Sequence, residues 1–341
     1  MISHKLFDYD IEYKDFVLKP LENAYKIRNY FGNKKHVTIP SKYNNKIIIS
    51  IGVGCFSNCT SIVSIKIPNT ITQICHGAFN SCCNLKSIKM HNDIIRIDDA
   101  AFKNCNNLEK IKIPSGVKVI SSNIFENCSN LKKVVLFDGL ERIESYAFAN
   151  CYNLKKINMP NSVKNIGANA FFNCHHLKSI ILPNSLLKIK EFAFSNCISL
   201  SSINLPDSLV FIGEEAFSNC CNIKNINFPK QLKTISSALY SGCKKIESIS
   251  IPSNISKIES CAFMICDSLT EIVIPGNVQV IDENAFSNCL NIRKVIVMNG
   301  CKIIKQYAFE NCHSLKEVIL SKSTIADEDA FPTSTKIIYR D

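Results

Sequence analysis

A mainly-β repeat solenoid, in which short coils stack one on the next, is the fold class this sequence predicts. Three observations carry it. An aromatic residue recurs every 23 residues without insertion, at Phe56, Phe79, Phe102, Phe125, Phe148, Phe171, Phe194, Phe217, Tyr240, Phe263, Phe286 and Phe309. Three residues after each of these twelve anchors stands a cysteine, from Cys59 to Cys312. Six residues after the anchor there is always Leu or Ile, nine after always Ile or Val, and eleven after always an apolar residue. A unit of this length cannot bury its own apolar positions, whereas stacked units bury one another's.

Residues 1–24 lie outside the period; the stretch FDYDIEY alternates as a strand does, and the segment is expected to cap the open apolar end of the stack. Residues 25–55 are expected to form an entry hairpin around Gly32 and an irregular first coil. Residues 56–331 are the twelve repeats. Within a unit, a segment such as LKKINM (154–159) alternates after its first Leu and predicts a short strand with one buried face. Proline comes next in eight units, for example Pro68, Pro114 and Pro160, and ends ladder pairing. Two more apolar positions then make a short return segment with turns, and a small residue precedes the next anchor. Residues 332–341 form a tail: Phe331 arrives after 22 residues, no Asn-Cys succeeds it, and KIIYR predicts a last strand.

L-x-x-L-x-L at this spacing is the leucine-rich-repeat signature. With Asn-Cys, L-x-x-I-x-I-Pro and a closing Ala-Phe in register from about residue 36 to 331, the chain resembles the BspA-like, or Treponema pallidum-type, leucine-rich repeats. The segment from Ala24 to Phe56 looks like that family's entry unit. The resemblance implies a right-handed coil with strands on one face and return segments on the other. It also implies a protein-binding role, since relatives are adhesive surface proteins of bacteria and parasitic protists or occur in large DNA viruses.

The cysteine ladder admits redox, metal and packing readings. Parallel Cβ vectors about 4.8 Å apart suit disulfides poorly, and a line of sulfurs does not converge on a tetrahedral point. No C-x-x-C pair occurs. Each repeat cysteine is therefore expected to be a small buried hydrophobe in a tight corner. Six further cysteines, Cys55, Cys75, Cys83, Cys221, Cys261 and Cys301, share no register, and the doublets at Cys82–Cys83 and Cys220–Cys221 are expected to pair a buried thiol with a more exposed one.

Other chemistry is sparse. The GVG at 52–54 lacks the rest of a phosphate loop, His175 and His176 read as a surface turn, and no nucleophile–base set or HExxH is present. No enzyme, cofactor or metal is expected. The N-terminus has charges where a signal peptide would be apolar, and with eighteen cysteines this points to an intracellular, reducing compartment; the alternative is a cell-surface or virion location by a non-classical route. No stretch reaches the roughly 18 apolar residues of a membrane helix.

A net charge of +11 fits an acidic partner. The positions that escape the repeat, seven, eight and ten residues after each anchor, gather Lys86, Lys89, Lys110, Lys112, Lys132, Lys133, Lys155, Lys156 and Lys178 on the strand face, with Glu109 the main exception. Lysines on an open sheet also serve solubility. The strip lacks the interleaved aromatics and arginines of nucleic-acid readers. Further along, Val273, Ile296 and Ile319 occupy the tenth position of consecutive coils and are expected to form an exposed apolar stripe. The expected function is a non-catalytic scaffold that binds a protein partner through the strand face. The alternative is a structural, self-associating component such as a surface, shell or virion protein.

Overall fold

A computed structural model describes residues 10–340, and every regular element among them is a β-strand. The chain forms two units, residues 1–163 and 164–341.

Unit 1 begins with β1 (Ile11–Tyr13), β2 (Phe16–Pro20) and β3 (Ala24–Tyr30), paired antiparallel in that order. Next come β4 (His36–Thr38), β5 (Lys42–Tyr43) and β6 (Lys46–Ile51); β5 pairs antiparallel with β6, and β6 runs parallel to β3. The antiparallel turns thus fall at Lys14, at residues 21–23 and at Asn44–Asn45, with positive φ at Lys14, Asn44 and Asn45, and not at Gly32, where a hairpin is expected from sequence. Gly32 lies between β3 and β4, and a Cβ there would sit 2.5 Å from the Tyr30 hydroxyl oxygen. The residue is small because an aromatic packs on it, not because the chain reverses. Residues 7–9 of the expected capping strand lie outside the described residues. β2 and β3 bury Phe16, Leu18, Ile27 and Tyr30, and the Tyr30 ring lies 5.0 Å from that of Phe56, the first anchor.

The coils then build two parallel ladders. On the strand face stand β7 (Ser64–Lys66), β9 (Ser87–Lys89), β11 (Lys110–Lys112), β13 (Lys133–Val135) and β15 (Lys156–Asn158). On the return face stand β8 (Gln73–Ile74), β10 (Arg96–Ile97), β12 (Val119–Ile120) and β14 (Arg142–Ile143). The return segments are thus more than turns: β3, β6, β8 and β10 form one hydrogen-bonded sheet. Between the ladders the anchors stack with ring centroids 5.0–5.6 Å apart from Phe56 to Phe148.

Unit 2 repeats the plan. Its return ladder is β16 (Asn165–Ile166), β18 (Lys188–Ile189) and β19 (Phe211–Ile212), then β20 (Thr234–Ile235), β21 (Lys257–Ile258), β23 (Val280–Ile281), β25 (Ile303–Ile304) and β27 (Ile325–Ala326). Its strand face has β17 (Ser179–Ile181), then β22 (Glu271–Ile274), β24 (Lys294–Val297), β26 (Glu317–Ser321) and β28 (Lys336–Arg340). The shortened last coil keeps the stack: Phe331 lies 5.2 Å from Phe309, and KIIYR is β28.

Two local devices let each coil close in 23 residues. The residue before the repeat cysteine is left-handed, and Asn fills it at Asn58, Asn104, Asn127 and Asn150 in unit 1 (φ 60–62°), because its short polar side chain tolerates that region. Their amides also ladder: Asn127 Nδ2 donates to Asn104 Oδ1 and Asn150 Nδ2 to Asn127 Oδ1, both at 2.8 Å. The second device is the cysteine. In unit 1, Cys82, Cys105, Cys128 and Cys151 donate Sγ–H to the carbonyl of the anchor one coil back at 3.1–3.2 Å. That carbonyl already accepts the amide of its own coil's cysteine, as in Cys59 N to Phe56 O at 3.1 Å. The thiol therefore takes the second lone pair of a buried oxygen while filling an apolar corner, which alanine and valine cannot do.

Candidate partner-binding face

The site is built by register. Because every coil has the same length, a residue type repeated at one position faces its copy across the ladder. Lys110 pairs in register with Lys133, and Lys133 with Lys156, while Lys66 pairs with Lys89. Adjacent parallel strands lie about 4.8 Å apart, so like charges meet directly, an arrangement that costs stability. Lys86, Lys89, Lys110, Lys112, Lys132, Lys133, Lys155 and Lys156 are all exposed. Within this set, Lys132 reaches Glu109 at 3.4 Å and Lys112 lies 5.1 Å over the Phe137 ring. Among the described residues, Lys110, Lys133, Lys155 and Lys156 form no ion pair. Lys178 is exposed in unit 2, one residue before β17.

The expected apolar stripe of unit 2 is corrected by the structure. Val273 is 47% exposed, Ile296 is half-buried, and Ile319 is 3% exposed. β28 adds a neighbour that the repeat arithmetic omits, so Ile319 lies in register between Ile296 and Ile338. Two aliphatic flanks remove it from solvent, and no three-residue stripe remains.

On the same face of unit 2 the charges alternate instead of matching. Glu271 faces Lys294, Lys294 faces Glu317 and Glu317 faces Lys336, with Lys294 Nζ 3.0 Å from Glu317. On the return side, Asp282 is clamped by Lys257 at 2.7 Å and Lys305 at 2.5 Å from the neighbouring coils. Burial pushes its carboxyl pKa up, but the two ammonium groups outweigh that and hold it below the ordinary carboxylate range. Asp282 and Lys305 share one offset in successive coils, so sequence periodicity pairs them, but Lys257 sits two positions earlier in its coil and its part in the clamp is not visible from the repeat.

Most of the repeat cysteines are packed away from solvent. Eleven of the twelve repeat cysteines are buried and Cys59 is half-buried. Burial pushes Cys82 and Cys128 up to about 12, far from the thiolate needed for attack or metal binding at neutral pH. In both doublets the repeat cysteine is buried and its neighbour, Cys83 or Cys221, half-buried. Among the described residues no group of three His, Cys, Asp or Glu is placed to hold a metal ion, and no helix is long and apolar enough to cross a membrane.

Two parallel ladders joined by coils of constant length, with Leu and Ile inside and Asn at the turns, define a leucine-rich-repeat solenoid. Within that class, the model of the BspA-type leucine-rich repeat region (six copies) matches residues 26–155, 141–266 and 233–339, and the chain belongs to this family. Among solved structures it is similar to a leucine-rich repeat protein from Bacteroides ovatus (25% identity, 98% of this chain and 100% of that one, TM-score 0.59). It is also similar to a leucine-rich cell surface protein from Faecalibacterium prausnitzii (26% identity, 85% of this chain and 94% of that one, TM-score 0.53). The pneumococcal vaccine antigen PcpA shares the fold, with 20% identity, 98% and 94% coverage and a TM-score of 0.68. No curated protein matches the chain.

Proposed function

We propose that this protein is a non-catalytic scaffold that binds an acidic protein through the strand face of unit 1. The observation that carries the reading is the uncompensated lysine column Lys110–Lys133–Lys156, flanked by Lys132 and Lys155. A surface under selection for solubility alone gains nothing from placing like charges in register, since alternating signs keep a sheet equally soluble at less cost. A partner that brings carboxylates to the column relieves the repulsion and gains long-range steering. The eighteen free thiols support a reducing compartment as the place of action. The test is proximity labelling in the source cell with wild type and a Lys132→Glu/Lys133→Glu/Lys155→Glu/Lys156→Glu variant. An acidic protein labelled by the wild type and lost with the variant is expected; a variant that keeps every partner overturns the reading.

A second reading, self-association as a structural component, has its own observation. Leu187, Val210 and Phe211 are exposed on adjoining return segments of unit 2. Light scattering of the purified chain decides it: a monomer at high concentration removes this reading.

A further inference from the structure

We propose that unit 2 carries a second binding site, on its strand face over residues 179–227, that takes an extended, uncharged polypeptide segment. Between β17 and β22 the strand ladder lapses: beyond a single bridge from Ser179 to Ser202, residues 203–205, 225–228 and 248–251 are in no strand. Ile226 and Ile249 occupy the ninth position, which is buried in the flanking coils at Ile203 and Ile272, yet both are half-buried. A cleft of about 550 Å³ opens here, lined by Ser202, Asn204, Asn225, Ile226 and Asn227, with Ile181 69% exposed beside them.

Three departures from the repeat open it. In unit 1 the amide of the eleventh residue donates to the next coil's backbone, as Ile113 N does to Val135 O at 3.0 Å. Here Leu205 N donates instead to Asn227 Oδ1 at 3.0 Å, and Asn227 Nδ2 donates to Leu205 O at 2.8 Å. A side chain thus stands between the two coils where a backbone group would. One coil on, Phe228 is the single aromatic at the eleventh position and Tyr240 the single anchor that is not Phe. Their rings meet edge-on at 6.2 Å, and the Tyr240 hydroxyl is buried without a hydrogen-bond partner. The stack stretches to match: Tyr240–Phe263 is 5.9 Å, and Cys266 Sγ to Tyr240 O is 3.5 Å, longer than the thiol bonds of its neighbours.

The chemistry of the cleft names its occupant. Main-chain groups over 225–228 make no backbone hydrogen bond, and among the described residues the Asn204 and Asn225 carboxamides make none either. Amides offer a donor and an acceptor together, which is what an extended main chain offers in return. No ionisable side chain lines the cleft, so a charged segment would lose hydration with no counter-charge supplied, whereas a neutral one matches. Ile181 provides the apolar contact for one aliphatic side chain.

The experiment selects random linear peptides displayed on phage against the full chain. Uncharged sequences are expected to be enriched and to bind wild type and a Lys132→Glu/Lys133→Glu variant alike. Asn225→Asp, which puts a charge in the cleft without touching the core, is expected to weaken them about tenfold or more. The closing variant Asn227→Val/Phe228→Leu/Tyr240→Phe is expected to weaken them equally, and the 225–228 amides to exchange more slowly in the complex. If the closing variant does not fold, Asn225→Asp and amide exchange decide. No enrichment, peptides that bind both cleft variants as tightly as wild type, or acidic peptides that depend on Lys132 and Lys133 each overturns the proposal.

Discussion

Where their ladders are paired, the strand faces of the two units share one backbone plan and carry opposite electrostatic logic. In unit 1, Lys110, Lys133 and Lys156 meet in register; in unit 2, Glu271, Lys294, Glu317 and Lys336 do. The second column stabilises its own sheet, and the first works against it. Around these columns the inward residues are the same Ile and Val in both units, so the difference between the columns lies in positions that packing leaves free. A repeat protein can therefore separate the residues that hold it together from those left free for another role, and under the proposed function the unfavourable column is the binding part.

The interchangeability is open to the largest test. Phe102→Ala in unit 1 and Phe286→Ala in unit 2 each remove a fully buried ring, and each is expected to cost about 3–5 kcal/mol in denaturant unfolding. Clearly unequal losses would break the claim that the two cores are equivalent.

The Asp282 clamp belongs to unit 2. Asp282→Asn is expected to cost about 2 kcal/mol, because the buried carboxylate that forms ion pairs with two lysines is neutralised. The sign with pH comes from the lowered carboxyl pKa: its stabilisation is present above the unfolded-state value and disappears as pH falls through the lower folded-state value. Wild-type stability is expected to drop more steeply than that of the Asn variant below about pH 4, in denaturant midpoints measured across acid pH.

Tyr240→Phe is expected to stabilise the chain by about 1 kcal/mol, as it removes a buried hydroxyl that has no partner. A loss instead would show that the hydroxyl is satisfied, and would weaken the account of the strained coil.

The smallest effect sharpens the opening comparison most directly. Lys133→Glu converts Lys–Lys–Lys into Lys–Glu–Lys and is expected to raise the unfolding midpoint at low ionic strength. Glu317→Lys is expected to lower it, and both changes fade near 1 M salt, where screening acts within about 3 Å. A lysine column that gains nothing from Lys133→Glu is not repulsive, and an acidic partner would then relieve no strain there.

Much of this was legible in the chain. The anchors, the cysteines and the Leu and Ile positions recur so strictly that they assign Phe125, Cys128, Leu131, Val134 and Leu136 to the interior; the first four are buried and Leu136 is half-buried. The lysine strip was legible for the same reason, since an exposed residue at a fixed offset must face its copy. Ile319 was misplaced because its exposure depends on β28, which breaks the 23-residue step. The cysteine thiol bond to the carbonyl one coil back escaped notice, because sequence periodicity reports side-chain size but not which oxygen has a spare lone pair. The cleft left only faint marks, an Asn at 227, a Phe at 228 and a Tyr at 240, each innocuous alone.

By itself the sequence determined the coil length, the buried set and the register, because a period of constant length leaves one way to stack apolar positions. The tertiary structure decided where that stacking costs something: which lysines go unpaired, which carboxylate is clamped, and where the ladder opens. Those outcomes depend on contacts between residues a coil or more apart, at offsets that no single repeat contains.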